Sequence, residues 1–245
     1  FIGPAVIDFE YPFLMAALDD VPEKLHLSAL SSHLYVDRRG APENRQGRFS
    51  SLEKFALIRA IARCSPMCDD RVVVTEVNWP LRGTGVYSPV GSPYESPGPR
   101  FNDPSVSEDE YADFMLRYLL MAICSGMVDR VFWWRLVARG YGLVDDTDAQ
   151  KWRRRPAYQV LKYFLSVAGE AEFMEKPVSG MDGVHLFVFK LQDGGRMCVA
   201  YSTAGEVHYR MPFEYLRINS AMGEELPSDV CGLRLSGRPV YLFLK

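Results

Sequence analysis

At 245 residues, 48% hydrophobic and 24% charged, the chain has ordinary globular composition, with room for one large α/β domain or a medium domain and a small companion. A net charge of -3 and a pI near 5.9 leave no basic footprint for nucleic acid, and no apolar run is long enough to span a bilayer. Five cysteines, scattered except for Cys64 and Cys68, argue against a disulfide framework, and without a second Cys or His pair at zinc spacing ordinary thiols are expected in place of a structural metal.

The chain opens FIGPAVIDF, without Met and without a signal-peptide pattern. Residue 1 therefore reads as the cut edge of something longer, and the compartment stays open, the periplasm and the exterior included. The same stretch is predicted to be a buried strand whose parity puts Asp8 and Glu10 on one face. LHLSALSSHLYV ends in a second strand, with His33 and Tyr35 sharing a face. SSLEKFALIRAIARC begins with a capping box, Ser50 to Glu53, and carries Leu52, Phe55 and Ile58 at helical spacing.

RVVVTEV is the third strand. Three valines and a threonine run straight into Glu76, and an unpaired buried carboxylate would cost several kcal/mol. Val72, Val74 and Glu76 share one face. The loop from about Pro80 to Pro104 is dense in Pro and Gly, holds Tyr87, Tyr94 and Phe101, and at that length is expected to be functional. SEDEYADFMLRYLLMAICSG is an amphipathic helix with a second capping box, Ser107 to Glu110. Tyr111, Phe114, Met115, Tyr118, Leu119 and Ala122 mark its apolar face. DRVFWWRL is a fourth strand, and RRPAYQVLKYFL a closing helix with Pro156 in its first turn.

Strand–helix repetition with strands buried on both faces implies a parallel sheet. From about Glu170 the pattern changes. VHLFVFKL, RMCVAYS, VHYRMPF, LRLSG and PVYLFLK are short runs joined by turn residues such as Asp193-Gly194-Gly195, the pattern of a small antiparallel β domain. The division is placed between residues 168 and 169.

In parallel α/β folds reactive groups collect at the carboxyl ends of strands. Three consecutive strands here deliver His33-x-Tyr35, then Glu76, then Trp133 and Trp134 to one rim. This order resembles the second half of a clan A retaining glycoside hydrolase, and the β domain ending LRLSGRPVYLFL resembles the accessory domain of family 39 and its relatives. The resemblance implies an α/β fold comprising strands five to eight of a (β/α)8 TIM barrel, residues 1–168, followed by a small antiparallel β-sandwich, residues 169–245.

It further implies hydrolysis of O-glycosidic bonds in a polysaccharide or oligosaccharide, with Glu76 as nucleophile and no cofactor. His33, Tyr35 and an aromatic platform, best met by Trp134, would bind the sugar. Trp133, Asn78, Trp79 and Asp8 are further candidates for substrate contact. The family's acid/base glutamate stands in an Asn-Glu pair on strand four, and no Asn-Glu dipeptide occurs here. That group, and the missing half of the barrel, are expected upstream of residue 1 or on a second chain.

Structural alternatives stand beside each reading. Glu76 would otherwise pair with Arg71 or Arg82, His33 and Tyr35 would be a satisfied polar pair over the core, and the tryptophans would be core. Asn78 and Trp79 would merely shape the loop, and Asp8 or Glu10 would cap a helix or form an ion pair. Arg153, Arg154 and Arg155 are expected as a solvated or barrel-base charge cluster. The competing function is a non-catalytic carbohydrate-binding protein on a degenerate barrel.

Overall fold

A computed structural model describes residues 1–6, 9–20, 22, 25–36, 40–46, 48–84, 105–227 and 232–245. The chain forms two compact units, Phe1–Arg153 and Arg154–Lys245. The closing helix, Pro156–Ala168, thus belongs with the residues that follow it, whereas the sequence division falls after it.

The first unit is built on a parallel sheet of four strands in the order β1 (Ile2–Gly3), β2 (Ala29–His33), β3 (Val72–Val77), β4 (Arg130–Trp133). Helix α1 (Tyr11–Asp19) follows β1, α2 (Ser51–Cys64) follows β2 and α3 (Glu108–Ile123) follows β3. The central strands carry the core: Leu30, Val72, Val74 and Val77 have no exposed surface. The outer strands are only partly covered, and Ile2 and Phe132 are exposed. The expectation of strands buried on both faces therefore holds for β2 and β3 and fails for β1 and β4.

Both capping boxes form. The Ser50 and Ser107 hydroxyls accept from the backbone of Glu53 and Glu110, whose carboxylates accept from the serine N–H groups in return. Each box satisfies donors that a helix start leaves open. Along α2 the buried positions are Ser51, Lys54, Phe55, Ile58, Ile61 and Ala62, so the true inner stripe includes a lysine and leaves Leu52 only half-buried. α2 lies against β2, β3 and α3, and α3 against β4.

β1 is much shorter than FIGPAVIDF suggests. Pro4 has no N–H to give to a ladder, so the strand stops at Gly3. The chain still follows β2, because the Val6 carbonyl accepts from His33 N–H at 2.9 Å. Glu10 occupies the N-cap position of α1 without a side-chain capping bond. α1 is announced in the sequence only by Pro12 in its first turn.

The second unit opens with α4 (Pro156–Ala168), which has its proline at the helix start as expected. Six antiparallel strands follow, ordered Glu225–Leu226, Tyr215–Asn219, Val240–Leu244, Arg196–Ser202, Val184–Lys190 and Glu172–Glu175. Val207–Tyr209 and Leu233–Leu235 form a separate two-stranded ladder. Tyr209, Leu233 and Leu235 of that ladder join Leu186, Val188, Cys198, Ala200, Ile218 and Leu242 in one core cluster. Asp193-Gly194-Gly195 makes the predicted turn: Gly194 takes φ +86°, and the Asp193 carboxylate accepts from Gly195 N–H at 2.9 Å. The arginine run is not uniformly solvated. Arg153 pairs with Glu108 at 2.5 Å and Asp145 at 3.0 Å, while Arg155 is 1% exposed.

Candidate active site

Register places the site. His33, the last residue of β2, pairs with Glu76 on β3, and Val77 pairs with Trp133 at the end of β4. Both ladders shift register at this end, between Ser32 and His33 and between Val74 and Val77. Such irregularities re-aim side chains where a regular pleat would bury them against neighbours, and they gather beside functional sites.

Glu76 is held through one carboxylate oxygen and has an imidazole near the other. The Tyr35 hydroxyl donates a short hydrogen bond to Oε1, and His33 Nδ1 stands 3.7 Å from Oε2. The Glu76 and His33 side chains are 17% and 19% exposed, so the carboxylate is sheltered but reachable. Burial raises the Glu76 carboxyl above the usual glutamate value, and the Tyr35 hydrogen bond and the His33 charge pull it back. Arg71 and Arg82, the structural alternatives, lie elsewhere: Arg71 is 3.7 Å from Asp129 and Arg82 3.9 Å from Glu110. A carboxylate fixed this way offers an aimed lone pair to an electrophile or to a ligand hydroxyl.

Tyr35 lies beyond the last β2 residue, where the ladder no longer fixes the backbone. Its surroundings do so instead. Tyr118 donates to the Leu34 carbonyl at 2.9 Å, and Lys54 Nζ donates to the Tyr35 carbonyl at 2.7 Å. Residues 40–43 are tied down as well. Trp79 Nε1 donates to the Gly40 carbonyl at 2.9 Å, Ser51 to the Pro42 carbonyl at 2.7 Å, and Arg117 makes a two-pronged pair with Glu43.

The tryptophans separate. Trp79 has no exposed surface and stacks on Trp133 at 5.9 Å between centroids, near Phe114 and Tyr118. It is core, and its expected sugar contact is corrected: its faces and its N–H are already engaged. Trp133 is partly committed too, donating to the Tyr111 hydroxyl at 2.8 Å, which donates to the Tyr141 carbonyl at 2.6 Å. Trp134 stays out of that stack; its ring is 5.6 Å from Tyr141 and partly exposed. Asn78 is 3% exposed, and its amide donates to the Trp134 carbonyl, so it braces the tryptophan and does not line an open subsite. Asp8, Tyr87, Tyr94 and Phe101 lie outside the described residues.

Lys54, Tyr118, Tyr111 and Tyr141 are the site's supports that the sequence reading misses. Tyr111 and Tyr118 are legible only as members of an apolar face. Lys54 had a signal, a cation at the spacing of Ser51, Phe55 and Ile58. Among the described residues no group of three or more His, Cys, Asp or Glu stands together as a metal site would require.

Solved structures align with nearly the whole chain. A family 39 glycoside hydrolase from the gut symbiont Bacteroides cellulosilyticus WH2 superposes with a TM-score of 0.66 at 20% identity, over 97% of this chain and 47% of its own. A family 51 arabinofuranosidase from Xanthomonas axonopodis pv. citri gives 0.61 at 14% identity, over 100% of this chain and 58% of its own. A family 39 enzyme from the same organism gives 0.53 at 14%, over 100% and 60%. This chain thus spans about half the length of the proteins it resembles. No family profile matches it, and no curated protein matches it in sequence. The chain is thus similar in fold to about half of each of these clan A glycoside hydrolases, which are TIM-barrel proteins of mixed α/β content.

Proposed function

We propose that the chain is the C-terminal half, strands five to eight, of a retaining glycoside hydrolase barrel with its accessory β-sandwich, and that Glu76 is the nucleophile. The observation that carries this reading is the carboxylate at the end of β3 with Tyr35 on one oxygen and His33 beside the other. The clan A fold supports it independently of those residues.

In this mechanism an ionised Glu76 attacks the anomeric carbon as the glycosidic C–O bond breaks. The leaving oxygen takes its proton from a second carboxylic acid, and a covalent glycosyl-enzyme forms. Water activated by the same group, now a carboxylate, then releases the sugar and regenerates Glu76. Tyr35 holds the attacking oxygen's partner geometry, His33 orients the carboxylate or meets a sugar hydroxyl, and Trp134 offers its ring to the C–H face of a pyranose.

Retention needs the two carboxyl groups about 5–5.5 Å apart. The acid/base and the first four strands are assigned to sequence upstream of residue 1 or to a second chain. Four strands do not close a barrel, and the partly covered outer strands and half-length superposition accord with a missing half.

The test is trapping in the full-length protein with a panel of activated 2-deoxy-2-fluoro glycosides, followed by peptide mass spectrometry. The label should attach to Glu76. Glu76→Gln should lower turnover by several orders of magnitude while sugar binding persists, because it removes an interaction made in the transition state. Full activity in Glu76→Gln would refute the assignment. Sugar binding without any turnover in the unmodified protein would favour the non-catalytic carbohydrate-binding reading.

A further inference from the structure

The least expected side chain near the site is Lys54. It sits in α2 on the helix's inner stripe and is 2% exposed. Taking an ammonium out of water costs several kcal/mol, and a leucine or methionine would fill that stripe without the penalty. Its Nζ donates to the Tyr35 carbonyl at 2.7 Å and to the Gln46 side-chain oxygen, 5.7 Å from the centroid of the Phe9 ring. The cradle is itself built. Gln46 and Phe49 exchange main-chain hydrogen bonds at 2.9 and 3.2 Å, and the Phe9 and Phe49 rings meet edge-on at 4.8 Å.

We propose that Lys54 is a positioning residue acting through Tyr35: by gripping the Tyr35 carbonyl it fixes the direction from which the phenol reaches Glu76 Oε1. Tyr35 lies past the β2 ladder, so rotation of its peptide would swing the hydroxyl off the carboxylate. The buried charge makes the grip strong, since hydrogen bonds from charged donors are about twice as strong as neutral ones. The catalytic consequence rests on the glycosidase reading of Glu76; the geometric claim does not.

The test is a double-mutant cycle in the full-length protein with Lys54→Met, Lys54→Arg, Tyr35→Phe and Lys54→Met/Tyr35→Phe. The first readout needs no turnover. Carbon-13 NMR of glutamate-labelled protein follows the Glu76 carboxyl, assigned by its loss in Glu76→Gln. Lys54→Met and Tyr35→Phe should each move its titration midpoint upward, because the bond that favours the carboxylate is lost, and the double variant should match Tyr35→Phe alone. The second readout is hydrolysis of an activated glycoside. Lys54→Met should lower kcat roughly tenfold with little change in KM, Lys54→Arg should restore most of it, and Lys54→Met should add nothing in the Tyr35→Phe background.

An unmoved Glu76 midpoint in Lys54→Met, or the same loss of kcat with and without the Tyr35 hydroxyl, would overturn the proposal. If Lys54→Met fails to fold, Lys54→Gln, whose shorter side chain gives up the charged grip on the Tyr35 carbonyl, replaces it in the same cycle, and additivity there is equally fatal. Glu76→Gln retaining full activity while both variants still shift the wild-type midpoint would remove the glycosidase reading and leave the positioning role standing.

Discussion

Tyr118→Phe isolates one hydrogen bond at the base of the site. The Tyr118 ring is fully buried, and it meets Phe55 at 5.6 Å and Trp79 at 6.2 Å, contacts that phenylalanine keeps. What is lost is the 2.9 Å bond to the Leu34 carbonyl, and what remains is an acceptor on a residue only 1% exposed. A buried group left unsatisfied costs about 1–3 kcal/mol. With both the phenol and the Leu34 carbonyl shut away from bulk solvent, about 2 kcal/mol is expected. The four tryptophans of this sequence lie in residues 1–153, so fluorine-19 signals of 5-fluorotryptophan assigned to these four positions follow the first unit through urea unfolding of the full-length protein. At a slope of about 2 kcal/mol per molar urea, the midpoint should fall by roughly 1 M with the slope unchanged. A fall below about 0.2 M would mean the Leu34 carbonyl does not depend on Tyr118. A changed slope with a fixed midpoint would refute the accounting altogether.

The Glu76 carboxyl binds its proton more tightly in the folded protein, because burial raises it above the usual 4.5. That preference stabilises the fold below the unfolded value and is lost as pH rises through the folded one. Glu76→Gln should therefore raise the thermal midpoint at pH 7 and make no difference below about pH 4.5; a lower midpoint at pH 7 would contradict this sign. Glu43→Ala should cost about 3 kcal/mol by stripping the carboxylate from Arg117, which is 5% exposed. Adding Arg117→Met should recover much of that loss in equilibrium unfolding, and strict additivity of the two changes would refute the coupling.

Much of this architecture is written locally. The two capping boxes state where α2 and α3 begin, the valine run states β3, and Asp193-Gly194-Gly195 states a hairpin, because each depends on neighbours in sequence. The arrival of Tyr35, His33 and Glu76 at one point is also legible, since strand ends are where a parallel sheet exposes reactive groups. Lys54 is not legible in the same way. Periodicity reports that its side chain points inward, but the carbonyl it meets belongs to Tyr35, past the end of β2, where no ladder announces its position. Trp79 misleads for the opposite reason. Its place after Glu76 suggests a rim, whereas past the end of β3 its ring packs against Phe114 and Trp133. β1 shrinks because one missing N–H at Pro4 outweighs the apolar run around it.

The two sheets also differ in how far apart in the chain their partners lie. In the second unit Lys190 pairs with Arg196 across a tight turn. In the first, Gly3 waits for Leu30, Leu30 for Val72, and Val73 for Arg130. Distant pairings must close long loops before any contact rewards them, so parallel sheets assemble slowly while hairpins zip early. On the ribosome the slow unit emerges first, and its apolar strands stand unpaired while the fast one is still being made. Expression conditions that slow synthesis and lower temperature should therefore raise the soluble yield chiefly by giving residues 1–153 time to find their partners.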